Sequence, residues 1–266
     1  MKITLMLLNI FIIFSHLFGQ KDQIDEQAFF ENIKSSYYSL KNTNAKNVSV
    51  LLTNTSMETF ASKEWKNHEI FPLQLIWIAP ERLFISQLGV PSLSDSSTTT
   101  YTYLVNNLKS QITDILFDLK RFYFSDLYSG IEENYKIKNI NDVVRVSFFS
   151  VIKTDTTFYE YYFGLNGLCL KVLSYTPSTN LKVETIPHFK INKTKWIIMG
   201  WEVHIYSDEE IQTGYFVEIS FTEKKNIWIP QNIKLAVQRK TDLGKTYNEV
   251  LKFRNLLFDQ PLHYME

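Results

Sequence analysis

The chain has 266 residues, of which 45% are hydrophobic and 15% aromatic, and its 28 basic residues balance its 28 acidic ones. This composition excludes a disordered or low-complexity chain, and the lack of a basic excess argues against a nucleic-acid partner. The single cysteine, Cys169, excludes an intramolecular disulfide.

The first residues are typical of an export signal. Lys2 supplies the positive charge, an almost unbroken apolar run extends from Ile3 to Phe14, and it ends in Ser15, His16 and Gly19. The run is shorter than the roughly 20 apolar residues that span a bilayer. We therefore expect residues 1–20 to be a cleaved signal peptide, with an uncleaved anchor as the alternative. Residues 21–266 are then one domain that is periplasmic or secreted.

Two amphipathic helices are predicted in the mature chain. The first runs from about Gln23 to Leu40, where apolar residues recur at spacings of three and four. The second runs from about Leu108 to Tyr128 and ends near Gly130. Asp118 and Arg121 are expected on its polar, outward face.

Most of the remaining chain alternates with a period of two, which predicts β-strands. The predicted strands are Asn47–Leu52, Leu73–Ala79, Arg82–Leu88, Thr98–Val105, Val143–Ile152, Thr157–Phe163, Leu168–Tyr175, Leu181–Ile186, Trp196–Tyr206, Gln212–Phe221, Ile227–Val237 and Tyr247–Leu257. Short turns such as Asn166-Gly167 join many of them, so the pairing should be antiparallel. The expected fold is mainly β with helices: a large curved antiparallel sheet, an incomplete β-barrel of about 11 strands, whose concave face two helices cover.

One face of these strands is a candidate apolar lining for a ligand. A sheet of this size encloses more space than its own side chains readily fill, so either the helices or an apolar ligand must occupy it. The candidate lining residues are Trp77, Met199, Trp201, Val203, Tyr215, Val217, Ile219 and Phe221. The alternative is that each of them simply packs in a core.

The order of these elements resembles the LolA/LolB-type lipoprotein-localisation superfamily. The resemblance is carried by the hairpin Leu75–Ile85, by Gly214–Phe221 and by Trp228–Lys234, which are similar to strands of those half-barrels. It implies a helical lid over an apolar concavity that shelters lipid or lipoprotein acyl chains. The region Asn106–Asn141 is then a helical insertion, and the lack of a cysteine at the cleavage point favours a soluble carrier.

The resemblance thus implies a periplasmic carrier or chaperone. Its partners would be a lipid or an acylated lipoprotein, together with donor and acceptor proteins of the envelope membranes. A secreted structural or protein-interaction protein with a fully packed core is the second hypothesis, and an enzyme on the same scaffold is the third.

No catalytic, metal or cofactor motif supports the enzyme hypothesis. The histidines form no metal-binding spacing. His204 lies beside Glu202 and is expected to form an exposed pair with it, and the acidic turn at Asp208–Glu210 is expected to be solvated. Cys169 lies in an apolar run and is expected to be a buried, inert thiol. We therefore expect no metal, no cofactor and no enzymatic activity.

Overall fold

The computed structural model describes residues 24–64, 70–131, 134–152, 154–207, 209–242 and 245–260. The strands in these ranges form one antiparallel sheet of 12 strands that is not closed, and 3 α-helices accompany it. The expected fold class is therefore confirmed, with one helix more than predicted. The expected signal peptide lies outside the described residues.

The strands and helices follow one another with short connections over most of the chain. The strands are β1 Asn47–Asn54, β2 Leu73–Ile78, β3 Arg82–Gln87, β4 Lys136–Ile140, β5 Val143–Ile152, β6 Asp155–Gly164, β7 Cys169–Thr176, β8 Leu181–Asn192, β9 Lys195–Ser207, β10 Glu210–Lys224, β11 Ile227–Arg239 and β12 Thr246–Phe258. The α-helices are α1 Glu26–Ser36, α2 Thr55–Glu64 and α3 Asp95–Leu119, and a π-helical turn at Lys120–Phe124 extends α3.

The sheet has the order β3-β2-β1-β12-β11-β10-β9-β8-β7-β6-β5-β4. Strands β4 to β12 pair with their neighbours in sequence, as the short turns predicted. The pairing of β1 with β12 was not predicted: Val48 lies opposite Trp77 on one side and opposite Phe258 on the other. Strands β3 and β4 are the two free edges, so the chain between them must cross the sheet, and α3 makes this crossing.

Two faces of the sheet are distinguished by burial. The inner face carries buried residues such as Val144, Val203 and Val217, which join the residues of α1 and α3 in one apolar core. The outer face carries exposed residues such as Phe149 and Glu218. On β10 the predicted alternation is confirmed, because Val217 and Ile219 are buried whereas Glu218 is exposed.

Helix α1 packs over the inner face near β6 and β7. Asp25 caps it by accepting a hydrogen bond from the Ala28 amide at 3.0 Å, and the buried Phe29 ring meets Phe163 edge to face at 5.6 Å. The helix is shorter than predicted and ends at Ser36. Immediately after it the Tyr37 hydroxyl donates to the Gly167 carbonyl at 2.9 Å, which ties the chain to the predicted Asn166-Gly167 turn.

The segment Thr98–Val105 was predicted as a strand, and this prediction was wrong. It belongs to the first half of α3, which begins at Asp95. The run of β-branched threonines favoured a strand. However, Tyr101 and Val105 belong to a buried helical stripe that continues through Leu108, and this burial outweighs the intrinsic preference.

Helix α2 and strand β4 were missed because neither presents a strong apolar pattern. Only Met57 and Ala61 are buried in α2, whose N-terminus is capped by the Asn54 side chain, 2.8 Å from the Met57 amide. Strand β4 is an exposed edge strand with two lysines. The expected insertion at residues 106–141 thus begins in the middle of α3 and ends just past β4.

Candidate ligand-binding cleft

Helix α3 covers the middle of the inner face. Ser94 caps its N-terminus, with the side-chain oxygen accepting a hydrogen bond from the Ser97 amide at 3.4 Å. Its buried stripe consists of Tyr101, Val105, Leu108, Ile112, Ile115 and Leu119. Phe122 in the π-helical turn continues this stripe and lies 6.1 Å from the Trp201 ring, measured between centroids. The helix therefore fills much of the space that the sheet encloses.

Seven of the eight predicted lining residues belong to this packed region. Five of them are fully buried in the core: Trp77, Trp201, Val203, Val217 and Ile219. Tyr215 and Phe221 are half-buried and pack against it. They lie on the inner face as expected, but α3 covers most of them, and their role in ligand binding stays a prediction.

Met199 departs from the predicted alternation. It is half-buried outside the core cluster, whereas Ile198 and Trp201 lie within it. The pairing of β8 with β9 skips Met199, because His188 pairs with Gly200 and Phe189 with Ile198. A side chain at Gly200 would lie 2.0 Å from the Val217 carbonyl oxygen, so only glycine allows this close approach. The bulge shifts the alternation and removes Met199 from the candidate lining.

The space left near Trp77 is too small for a ligand. Trp77, Tyr123 and Phe253 surround a cavity of about 10 Å³, together with neighbouring apolar residues. This is at the limit of what one water molecule requires. The core is thus closed at this end of the sheet.

A large opening lies beside α3, between the helix and strands β9 to β12, and its volume is about 780 Å³. Its floor is mainly apolar and includes Ile205, Tyr215, Leu235 and Val237. Its rim is polar on both sides: α3 contributes Asn107, Ser110, Gln111 and Asp114, and the opposite side contributes Arg239, Asn248 and Glu249. Ligand sites commonly occupy about 300–1,000 Å³, so this cleft is large enough for an amphiphilic molecule.

The cleft continues into a smaller cavity farther along the same face of α3. That cavity has a volume of about 220 Å³ and shares Asp114, Ile205 and Tyr215 with the large cleft. Valines from β7, β8 and β9 form its apolar wall. Asp118 and Arg121 line its helical side, with only 6% and 9% of their side chains exposed. Both were expected to point outward, and that expectation was wrong.

Asp118 and Arg121 form a buried ion pair in an aromatic setting. The Arg121 Nη1 atom lies 3.2 Å from Asp118 Oδ1, yet Oδ1 has no hydrogen-bond donor among the described residues. The guanidinium carbon lies 4.5 Å from the Phe117 ring centroid and 5.6 Å from that of Tyr161. Burial raises the pKa of Asp118, and the positive charge of Arg121 opposes this rise. The pair is therefore buried with its hydrogen-bonding capacity only partly used.

A third cavity, also of about 220 Å³, lies where α3 gives way to the π-helical turn. Arg121 and Phe117 line it as well, so it adjoins the second cavity. The buried Ser125 hydroxyl in its wall has no hydrogen-bond partner among the described residues. The acidic groups Glu81 and Asp126 are held by Lys41, at 2.6 and 3.5 Å.

The histidines of β8 and β9 lie away from these cavities. On the outer face His204 is 3.7 Å from Glu184, and Glu202 instead approaches His188 at 3.3 Å, so the predicted pairing of His204 with Glu202 was wrong. Among the described residues, no group of three or more His, Cys, Asp or Glu side chains is placed to hold a metal ion. Asp208 lies outside the described residues.

Cys169 is 1% exposed, and burial raises the pKa of its thiol to about 12. A thiol with this pKa is almost entirely protonated near neutral pH, so it is not a nucleophile. The expectation of a buried thiol is confirmed.

Comparison with known proteins identified no relative. No protein-family model matches the chain, and neither a curated protein nor a solved structure is significantly similar to it. The resemblance to the LolA/LolB-type superfamily has no support from these comparisons and stays a prediction. In the described part of the chain, no helix has the length and apolar character needed to cross a membrane. The protein is thus an open antiparallel sheet with a helix across its inner face and a cleft beside that helix.

Proposed function

We propose that this protein is a carrier that binds a lipid or a lipoprotein acyl chain without covalent attachment. The observation that carries the proposal is the 780 Å³ cleft beside α3, whose floor is apolar and whose rim is polar. An acyl chain lying on Ile205, Leu235 and Val237 loses contact with water, at a gain of roughly 0.8 kcal/mol for each buried methylene before ordering costs. Polar groups at the rim and in the adjoining smaller cavity suit the head group of the same molecule.

The position of the cleft also suits release. It lies at the flank of α3 rather than under the fully packed stripe, so a ligand can enter without displacing Trp201 or Val217. Tyr103, on the helical side of the cleft, is 65% exposed, and Tyr247, on the opposite side, is 54% exposed. Aromatic side chains at an opening can cover an acyl chain with little change in the fold. Together with the export signal predicted at residues 1–20, this favours transfer of lipid within the periplasm or outside the cell, and the proposal includes no catalytic step.

Uptake of a fluorescent acyl probe by the purified protein tests this function. Val237→Glu places a charge on the apolar floor and should weaken uptake at least tenfold. Gln238→Glu is the matched control, because Gln238 is exposed and neighbours Val237 on the same strand. Native mass spectrometry of gently purified protein should also show a bound lipid. A ligand-free spectrum combined with no probe uptake would contradict the proposal.

A protein-interaction role is the second candidate, and a specific row of residues favours it. Phe149, Phe158 and Tyr175 pair across β5, β6 and β7, and each is at least 41% exposed. If lipid uptake fails, Phe158→Ser should abolish binding of any protein partner while leaving the unfolding transition unchanged.

A further inference from the structure

We propose that the buried Asp118–Arg121 pair selects a ligand whose head group is neutral and both donates and accepts hydrogen bonds, such as a primary amide or a hydroxyl. The inference rests on the carrier function proposed above and specifies its ligand class. The second cavity, which these residues line, shares Asp114, Ile205 and Tyr215 with the acyl-binding cleft. A ligand with its chain in the cleft can therefore place its head beside the pair.

The hydrogen-bonding capacity of the pair defines the head group. Asp118 Oδ1 is buried and lacks a donor among the described residues, so it can accept a hydrogen bond from a ligand. The Arg121 guanidinium carries five N–H donors, and its Nη1 atom lies 3.2 Å from Asp118 Oδ1 without satisfying that oxygen with a hydrogen bond. An acceptor and a donor group thus lie side by side. A primary amide offers the complementary combination, an N–H for Asp118 and a carbonyl oxygen for Arg121.

The charges around the cavity disfavour an anionic head. Arg121 attracts an anion, but Asp118, 3.2 Å away, repels it and would stay without a donor. Asp114 at the junction adds a second carboxylate, which Arg239 offsets from the side of the large cleft. Lys171 and Lys182 lie on the outer face of β7 and β8 and pair with Glu184 and the Tyr206 ring. The described groups therefore form a locally neutral, dipolar site. Leaving a buried polar group unpaired is costly, so a carboxylate head is rejected.

The surrounding residues hold the Asp118–Arg121 pair in place. Phe117, Phe122 and Tyr161 place their rings within 5.6 Å of the Arg121 guanidinium carbon. Thr185, which is 3% exposed, lies in the wall of the same cavity. A head group entering the cavity thus meets side chains that are already ordered.

The test compares two ligands of equal shape on the unmodified protein at neutral pH. A long-chain fatty acid, present as its carboxylate, and the primary amide of the same chain length compete for the fluorescent acyl probe. The amide should bind at least tenfold more tightly. Equal binding, or tighter binding of the carboxylate, overturns the inference and leaves the carrier function standing. Displacement of the probe by neither ligand overturns both.

A variant adds a test of the pair itself. Asp118→Asn replaces the repelling carboxylate with an amide that can donate to the ligand, so the preference should shift towards the fatty acid by at least tenfold. Asp155→Asn, at the exposed first residue of β6, is the control and should keep the preference of the unmodified protein. Circular dichroism and the melting temperature establish that each variant is folded. A folded Asp118→Asn protein with an unchanged preference overturns the inference, and the ligand comparison above decides it if the variant does not fold.

Discussion

Two parts of the same strand, β10, differ in their surroundings: one is buried in the core and the other lines the open cleft. Val217 and Ile219 are 0% and 1% exposed beneath the helices, whereas Tyr215, two residues earlier on the same face, lines the open cleft. The alternation of apolar residues is the same in both parts. What differs is whether α3 lies above them. A strand pattern therefore specifies which face turns inward, while the crossing path of the helix decides whether that face is core or binding surface.

The largest effect on stability is expected from removing a large side chain from the buried core beneath the helices. Trp201→Ala removes a fully buried ring that contacts Phe122, and it should lower the free energy of unfolding by about 3–5 kcal/mol. Urea denaturation measures this. Phe149→Ala, at a residue 47% exposed on the outer face, is the control and should change stability by about 0.5 kcal/mol or less. A loss below about 1 kcal/mol for Trp201→Ala would show that this region is not tightly packed.

A smaller loss, of about 3 kcal/mol at neutral pH, is expected for Arg121→Met, because it leaves the Asp118 carboxylate buried without its counter-charge. Burial already raises the pKa of Asp118, and removing Arg121 should raise it further. The folded variant then holds the Asp118 proton more tightly than the unfolded chain does. Lowering the pH towards the unfolded value of 3.8 should therefore restore stability to the variant relative to the unmodified protein.

Denaturation of Arg121→Met at several pH values measures this dependence. Its control is the double variant Asp118→Leu/Arg121→Met, in which the pair is replaced by apolar side chains. The double variant should be close to the unmodified protein in stability at neutral pH. A deficit of Arg121→Met that does not depend on pH would exclude the unpaired carboxylate as its cause.

The smallest effect on stability is expected at the N-terminus of α3. Ser94→Ala removes the N-terminal cap of α3 and should cost about 1 kcal/mol. Hydrogen exchange should become faster in the first turns of α3, near Tyr101, and stay unchanged around Trp201. Ser62→Ala, in the last part of α2, should leave exchange in α3 unaltered. Faster exchange over the whole sheet would mean that cleft and core unfold as one unit.

Much of the fold followed from the sequence because the strands carry strong local signals. The hairpin of β2 and β3 and strand β5 were predicted at or within one residue of their observed ends. The first half of α3 was not, because its threonines favour a strand locally and only packing against the sheet makes it helical. The pairing of β1 with β12 depends on contacts between distant segments, which local periodicity does not contain.

The candidate site was less predictable than the fold. Tyr215 and Val203 were named from alternation and do line the open cavities. Met199 was named in error because no local pattern reveals the bulge at Gly200. Asp118 and Arg121 were assigned to a solvated face because charged residues rarely enter a core. Their spacing of three on a helix was the available signal, since it allows an ion pair that makes burial tolerable.

The meeting of β1 with β12 also constrains how the molecule is assembled. The hairpin of β2 and β3 is attached to the larger meander only through β1, and Val48 finds its partner Phe258 near the other end of the chain. A polypeptide emerging from the ribosome cannot form the pairing of β1 with β12 until β12 has been synthesised. Non-local pairing of this kind slows folding. Completion of the sheet is therefore a late event in folding, because it requires segments that lie far apart in the chain.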